Sequence, residues 1–325
     1  PRSRGLGDVY KRQAFFITSV NSFMNTPAGF EIKNGRMVNV QPLEAMFNSS
    51  FLVRASHVVA TAGMTMAFIL AAIAAFKLLR HNHKEDRTYH TKALNLSMIV
   101  GFINTVLSMI AGDLSAKFLH KVQPDKLAAY EWHYDTQSHA NLVLFGVLNE
   151  KTHEVSGALE IPGLLSFLAD NSFNTKVKGL NEFPKNELPP MIVHYFFDLM
   201  VSMGIFCFII SGLYMLFLIV KKLRKYVTSS VMLYAILLTG PASMLAIEFG
   251  WFLTEMGRQP WIIRGYMRVS EAATQAGGIT LVTTLFGLLY LLLLVTSAYV
   301  LIRMFKNQPA YKDVEKVIEE RGETK

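Results

Sequence analysis

Five long apolar stretches limit what this chain can fold into more than any other feature. They lie at about 51–76, 94–116, 191–220, 229–256 and 277–302. A helix needs roughly 20 apolar residues to cross a bilayer core of about 30 Å, and each stretch is long enough. Only 17% of the residues are charged, whereas an ordinary soluble domain has about 25%. The sequence therefore predicts an all-α, polytopic transmembrane helix bundle.

The beginning of the chain differs in composition from the rest. Residues 14–24 are typical of the last turns of an earlier span, which would end at the turn 25–27. Residues 1–13 are polar and basic and do not begin with Met. We expect them to be foreign to the natural chain, as a leader or a sequencing artefact. The natural part is then an N-terminally truncated fragment of a longer membrane protein.

The basic residues indicate on which side of the membrane each loop lies. Lys and Arg concentrate at 77–92, 221–225 and 303–325. By the positive-inside rule these three regions are cytoplasmic, and their order along the chain agrees with five spans. Residues 117–190 carry seven Lys against nine acidic residues and are predicted to form a long extracytoplasmic loop. The net charge of +8 mostly reflects this topology, so nucleic-acid binding is not expected.

These assignments divide the chain into five segments. They are the foreign leader 1–13, the end of an earlier span with two membrane spans 14–116, the extracytoplasmic loop 117–190, three membrane spans 191–306, and the cytoplasmic tail 307–325. An apolar run at 161–168 is too short to cross the bilayer. It is predicted to be an interfacial or packed part of the loop.

Four residues inside the predicted spans are candidates for function. An ionisable group within a bilayer is costly and usually has a role. His57 lies roughly 10 Å, and Met200 roughly 15 Å, below the outer surface at 1.5 Å per residue. Glu248 and Glu255 lie near the outer end of one span, and their spacing of seven places them on one helix face. All four are therefore predicted in the outer half of the membrane.

A His and a Met from two helices at similar depth can be the two axial ligands of a haem iron. Other interpretations remain open at this point. Met200 can be a core or lipid-facing residue, His57 can hydrogen-bond within the bundle, and Glu255 can simply pair with Arg258. A di-haem anchor with bis-His ligation would need about four histidines within the membrane. Apart from His57 and the boundary residue His194, the histidines lie in loops or at span ends, which disfavours that class.

The start of the long loop combines charged and aromatic residues. Lys126 and Glu131 lie there in the same short segment as Tyr130, Trp132 and Tyr134. Such residues can hydrogen-bond a quinol headgroup, accept its proton and enclose its ring. The other interpretation is an interfacial aromatic belt with solvated charges.

A run in the fourth span resembles a known signature. Gly250-Trp-Phe-Leu-Thr-Glu-Met-Gly-Arg-Gln-Pro-Trp261 is similar to the GRQPW motif of subunit I of the cytochrome bd quinol oxidases. Three further matches keep the family's order along the chain. They are the turn Asn25–Gly29, the loop Gln123–Glu131 and the segment Phe196–Val201.

The resemblance implies roles for particular residues. His57 and Met200 would ligate the iron of a low-spin haem b, and Glu255 that of a high-spin haem b, with Trp251 and Arg258 beside it. Lys126 and Glu131 would bind the quinol. Asp113 matches an acidic residue at the outer end of a span. Glu248 is a possible support for a haem ligand or a proton relay. A third haem, haem d or another haem b, completes the family's cofactor set.

The resemblance also implies a reaction and its surroundings. The chain would be the haem-binding subunit of a quinol:O2 oxidoreductase that oxidises ubiquinol or menaquinol and reduces O2 to water. Its partners would be subunit II, possibly a small single-span subunit, and the lipid bilayer of a bacterial cytoplasmic (inner) membrane. The fragment would be inactive alone, because missing spans carry part of the oxygen site. Asp198 departs from the family's best-known members, which have Arg two residues before the Met ligand.

Two other functions are compatible with the composition. A proton-coupled transporter could use the intramembrane carboxylates as relays, and it would show broken helices and related halves. A haem-free structural membrane subunit would have lost one of the ligand positions. All three ligand positions that can be checked are present in the sequence.

Overall fold

Ten helices dominate the computed structural model, which describes residues 2–80, 84–274 and 276–307. In chain order they are α1 Arg2–Asn25, α2 Pro42–Met46, α3 Phe51–Arg80, α4 Lys84–Val122, α5 Pro124–Tyr130, α6 Leu164–Asp170, α7 Val193–Ile219, α8 Ser230–Met256, α9 Val269–Ala272 and α10 Ile279–Asn307. Five of them, α3, α4, α7, α8 and α10, are long and apolar enough to cross a membrane. The predicted polytopic bundle with five spans is confirmed.

The helices extend beyond the apolar stretches at several ends. Helix α3 continues to Arg80, and its last turn contains Lys77. Cations there interact favourably with the helix dipole and can extend their charged ends into water. Helix α4 continues to Val122, and it ends before Gln123 because a residue preceding proline disfavours the helical conformation. Apolar length therefore located each span but not the ends of its helix.

Helix α1 includes the predicted remnant of an earlier span at 14–24. It is continuous from Arg2 to Asn25, so the backbone shows no break at the expected boundary after residue 13. The foreign origin of 1–13 stays a prediction, as does the division into five segments. Most of the predicted cytoplasmic tail, at 308–325, lies outside the described residues.

Helices α3, α4, α7 and α8 form a four-helix bundle. Helices α3 and α7 each pack on both α4 and α8, so they occupy diagonally opposite corners. One apolar core joins all four helices and includes Phe68, Met98, Tyr214 and Ile236. Small residues allow close approach: a Cβ placed on Gly240 of α8 would come 2.9 Å from the Cβ of Ala72. This is the usual way in which helices associate within a membrane.

The long loop between α5 and α7, predicted to be extracytoplasmic, is folded rather than irregular. Between α5 and α7 it contains four strands, β3 Leu142–Leu144, β4 Val147–Asn149, β5 Glu154–Ser156 and β6 Leu159–Ile161, together with α6 and short 3-10 helices at Leu180–Glu182 and Lys185–Glu187. Strand β3 pairs antiparallel with β6, and β4 pairs with β5. Of the two predictions for the run at 161–168, interfacial or packed, the packed one agrees with the structure. The run leads into α6 and contributes Leu165 to a small core with Leu127 and Val177.

The remaining elements are small. Strands β1 Glu31–Lys33 and β2 Arg36–Val38 form a hairpin after α1, and β7 Trp261–Ile263 and β8 Met267–Arg268 form another after α8. A 3-10 helix at Lys221–Tyr226 joins α7 to α8. Helix α10 is exposed along its described side chains from Ile279 to Met304, so its apolar surface is left for lipid or for other protein.

Candidate functional site

His57 lies two turns into α3 and turns its imidazole toward α4. The ring is close to the Ser108 backbone. A Cβ placed on Gly112 would lie 3.7 Å from the Cε1 atom of His57. The Nδ1 atom is buried and has no hydrogen-bond partner among the described residues. A buried polar nitrogen without a partner is costly in an apolar region, so this imidazole retains capacity to bind a ligand.

Met200 lies on α7, at the corner diagonally opposite α3, and contacts α8. A Cβ placed on Gly250 would come only 3.2 Å from the Met200 sulfur. Gly250, the first residue of the GRQPW-containing run, therefore leaves the room that the thioether occupies. Facing helices of a bundle are where cofactor sites are commonly built. An imidazole on one diagonal helix and a thioether on the other fit the axial ligand set of a haem.

Glu248, Trp251 and Glu255 form a stripe along α8, and all three are exposed within this chain. Glu255 is held by two contacts. Its Oε2 pairs with Arg258, and its Oε1 accepts a hydrogen bond from the Asn21 amide at 3.1 Å. The ion pair between Glu255 and Arg258, predicted from the sequence as an alternative to a ligand role, is therefore present. Carboxylate oxygens have further lone pairs, so the pairing positions Glu255 without preventing a ligand role.

Lys126 is fully buried at the start of α5. Its ammonium group donates a hydrogen bond to the Asn25 side chain, and the Gln123 amide donates to the Asn25 carbonyl at 2.7 Å. Burial, and secondarily the nearby guanidinium groups of Arg54 and Arg264, lower the pKa of Lys126 well below its usual value. The end of α1 at Asn25 is therefore in direct contact with the start of the segment 123–131, which is predicted to bind the quinol.

Glu131 follows the other end of α5 and is also buried, at 2% exposure. Burial, and secondarily the carboxylate of Asp198, raise its pKa well above the usual value. Lys126 contacts Asn25 at the end of α1, whereas the charge of Asp198 on α7 acts on Glu131, and the described residues show no contact between the two side chains. The alternative of solvated charges in an aromatic belt is wrong for both residues, because neither reaches solvent.

Asp113 has an ordinary structural contact. It forms an ion pair with Lys117 one turn later on α4, and its carboxylate is partly exposed. Such pairs on a helix surface contribute little energy. Within the described part of the chain, Asp113 makes no contact with the other candidate residues, and its role stays a prediction.

Sequence reasoning missed several polar residues around these candidates, of which Asn25 is buried and Arg54 and Arg264 are partly buried. The sequence indicates only a turn at Asn25, although its side chain contacts Lys126. Arg54, three residues before His57, donates to the Asn21 side chain at 3.4 Å. Arg264 pairs with Asp125 at 2.6 Å. The sequence did contain a signal for Arg54, because a charged residue within an apolar stretch is unusual. For Asn25 and Arg264 the partners are about 100 or more residues away, and no local pattern indicates them.

The described residues contain no group of three or more His, Cys, Asp or Glu side chains that could hold a metal ion by themselves. The candidate ligands come singly or in pairs from separate helices. This arrangement fits haem iron, which needs only axial ligands from the protein.

Residues 12–309 match the family model described as cytochrome bd terminal oxidase subunit I. The chain belongs to this family.

Individual members of the cytochrome bd subunit I family agree with that assignment. One relative from Bacillus subtilis, provisionally named cytochrome bd menaquinol oxidase subunit I, is 40% identical over 93% of this chain and 68% of its own length. Another Bacillus subtilis protein, cytochrome bd ubiquinol oxidase subunit 1, is 31% identical over 90% of this chain and 64% of its own length. The chain thus spans about two thirds of each relative.

A solved structure of the cytochrome bd class is also similar. The bd oxidase from Geobacillus thermodenitrificans superposes with a TM-score of 0.86 at 49% sequence identity, covering 92% of this chain and 68% of that chain. The resemblance found in the sequence is confirmed. The family is one of haem-containing quinol oxidases of the respiratory chain, and this chain is a multi-pass membrane member of it.

Proposed function

We propose that this chain provides the low-spin haem b site of a quinol oxidase, in which His57 and Met200 would hold the haem iron. The observation that carries the proposal is the placement of these side chains on the diagonal helices α3 and α7. It is supported by the unpartnered His57 nitrogen and by the room that Gly250 leaves beside the Met200 sulfur. When bound, such a haem supplies one-electron transfer, and the Met ligand raises its reduction potential.

The quinol is proposed to bind at α5. Oxidation of a quinol releases protons as well as electrons, so its site needs a proton acceptor. Glu131 is buried, and burial raises its pKa well above the usual value, as is typical of carboxyl groups that exchange protons at functional sites. Lys126, held by Asn25, is the proposed hydrogen-bond donor to a quinol oxygen. The names of the relatives include both ubiquinol and menaquinol oxidases, and either quinol fits these two side chains.

Glu255 is proposed as the ligand of the high-spin haem b. Arg258 and Asn21 fix its carboxylate at the outer end of α8, and Trp251 lies one turn before it on the same exposed stripe. Glu248 continues that stripe toward the membrane centre and is proposed to support the ligand or relay protons. A third haem, d or b, would complete the oxygen-reducing site.

The exposed surfaces suit a multisubunit membrane enzyme. Trp251 on α8 and the mostly apolar side chains of α10 from Ile279 to Met304 are exposed, and nothing in the described part of the chain covers them. We propose that lipid, subunit II or a small single-span subunit covers them in a bacterial cytoplasmic membrane. In that assembly the enzyme would oxidise quinol on the outer side and reduce O2 to water, whereas the fragment alone would be inactive.

The ligand assignment is tested by the reduced-minus-oxidised spectrum of the assembled oxidase that contains this chain. His57→Ala and Met200→Ala should each abolish or shift the low-spin b-type signal. Met66→Ala is a matched control, since Met66 lies on α3 with its side chain exposed, and it should leave the spectrum unchanged. Survival of an unaltered low-spin signal in both ligand variants would refute the assignment. The alternative of a proton-coupled transporter would predict broken helices. The described spans α3, α4, α7, α8 and α10 are instead continuous helices, and no observation favours that alternative.

A further inference from the structure

Arg54 is a charged residue in the first turn of a helix that can span a membrane. It is the fourth residue of α3 and lies three positions before His57, so the two residues are separated by about 4.5 Å along the helix axis. An arginine within a membrane span is costly and normally has a partner. A guanidinium does not lose its proton in proteins, so Arg54 keeps its positive charge.

The contacts of Arg54 do not balance this charge. Its Nη1 donates a hydrogen bond to the Asn21 side-chain oxygen at 3.4 Å, which is longer than the usual range for such a bond. None of the ion pairs in the described part of the chain involves Arg54. A guanidinium has five N–H donors, and Arg54 uses one of them on a neutral amide. It therefore retains charge and donors for a further group.

The surroundings of Arg54 contain more cations than carboxylates. The groups whose charges act on Arg54 or on its neighbour Lys126 include two further arginines and two acids, Arg258, Arg264, Asp125 and Glu255. Both acids are already paired, Asp125 with Arg264 at 2.6 Å and Glu255 with Arg258. Arg54 and Lys126 are left without a carboxylate partner. Lys126 can lose its proton, whereas Arg54 cannot, so at least one positive charge in this cluster is unbalanced.

Arg54 also lies between the two proposed haem sites. His57 follows it on α3, and its hydrogen-bond acceptor Asn21 donates the side-chain amide to Glu255 Oε1 at 3.1 Å. A line of contacts thus runs from α3 through α1 to α8. A group bound at Arg54 would be close to the surroundings of both proposed iron ligands.

The chemistry of the guanidinium limits what this group can be. Its planar fork matches the two oxygens of a carboxylate or phosphate, and arginine is favoured for ion pairs that are shielded from water. A haem has two carboxylate side chains, which need a cation when they are taken out of water. A phospholipid headgroup offers a phosphate, and basic side chains between membrane helices bind such headgroups. Either source supplies the negative charge that the cluster lacks.

We propose that Arg54 binds an oxyanion, which is a carboxylate of a bound haem or the phosphate of a lipid. With the haem as the source, the inference rests on the proposed function. With the lipid as the source, it does not. In both cases Arg54 is a binding residue for the oxyanion and is not a ligand of the iron.

The first test compares Arg54→Met with Arg54→Lys by redox titration of the assembled oxidase. Methionine removes the charge, whereas lysine keeps the charge without the planar fork. Oxidised haem has one more positive charge than reduced haem, so loss of a nearby cation favours the oxidised form. If a haem carboxylate is bound, Arg54→Met should lower the reduction equilibrium constant of that haem by about tenfold, or about 59 mV for one electron. Arg54→Lys should change it less, and separate titration of the low-spin and high-spin signals identifies the haem.

The second test measures the contact itself. With haem labelled by 13C in its carboxylates, the carboxylate band in the oxidised-minus-reduced infrared spectrum should shift in both Arg54 variants, because neither can form the paired contact. Lys77→Met is the matched control, because it removes a cation from the other end of α3. It should leave the midpoint potentials and the band unchanged. A lower midpoint potential with an unchanged band would show a charge acting through space and would exclude the haem as the source.

The lipid source is tested by native mass spectrometry of the same assemblies. It predicts a bound phospholipid that is lost in Arg54→Met and retained in Lys77→Met, with an unchanged haem carboxylate band. An unchanged band together with unchanged phospholipid content in Arg54→Met would overturn the inference. If Arg54→Met does not assemble, the band and the phospholipid occupancy of Arg54→Lys decide in the same way. A wild-type assembly without b-type haem would instead refute the proposed function, and the phospholipid measurement alone would then decide the inference.

Discussion

The sulfur of Met200 lies so close to Gly250 that a Cβ on that glycine would be 3.2 Å away. Most residue types could occupy this helical position if the backbone alone mattered. A glycine at position 250 instead leaves space for the Met200 side chain of the neighbouring helix α7. This relationship connects the first residue of the GRQPW-containing run to the proposed haem ligand.

Gly250→Val is expected to displace the Met200 thioether and to shift or abolish the low-spin b-type signal. The measurement is the reduced-minus-oxidised spectrum of the assembled oxidase. Gly204→Val is the matched control, because Gly204 lies on α7 and a Cβ there would meet nothing within 4 Å. It carries the same β-branching penalty in a helix and should retain the signal. Equal spectra for both variants would show that Gly250 does not position Met200.

The sequence was sufficient to predict the spans, because apolar length is local information, whereas the ligand roles follow from the family resemblance and stay predictions. Apolar length predicts a membrane helix, and a His or Glu inside such a stretch is conspicuous. The environment of Lys126 was not predictable in this way. Its partner Asn25 is separated from it by 101 residues, and the two meet only because α1 ends where α5 begins. The charge of Asp198 that acts on Glu131 likewise comes from α7, which lies beyond the whole long loop in the chain.

Lys126 should make the stability of the assembly depend on pH. Because its pKa is lowered in the folded state, the unfolded chain binds more protons than the folded one between that lowered value and about 10.4. Stability then rises with pH across this window. Thermal inactivation measured at pH 7.5 and 9.5 should show a gain for the wild type that Lys126→Met lacks. Lys176→Met, an exposed control in the long loop, should behave as the wild type, and a gain in Lys126→Met equal to that of the wild type would contradict the argument.

Glu131→Gln should separate catalysis from stability. The amide is close in size but cannot accept a proton, so kcat for quinol oxidation should fall by about 100-fold or more. The stability of the assembly near neutral pH should not fall, because a buried carboxyl with a raised pKa does not stabilise the folded state when it is ionised. Steady-state kinetics and thermal inactivation measure the two effects. Glu154→Gln, in the exposed strand β5, is the control, and an active Glu131→Gln enzyme would exclude Glu131 as the proton acceptor.

Arg258→Lys should affect the proposed high-spin haem site alone. Arg258 makes two contacts with its planar guanidinium, one to Glu255 and one to the Met24 sulfur at 3.1 Å. A lysine has a single ammonium and cannot reproduce this pair of contacts, so Glu255 should become less well positioned. We expect a weakened or shifted high-spin b-type signal with the low-spin signal intact, because the described contacts of Arg258 do not include His57 or Met200. Arg36→Lys, on the exposed strand β2, should change neither signal. Loss of the low-spin signal in Arg258→Lys, or no change in either signal, would show that Arg258 does not act through Glu255.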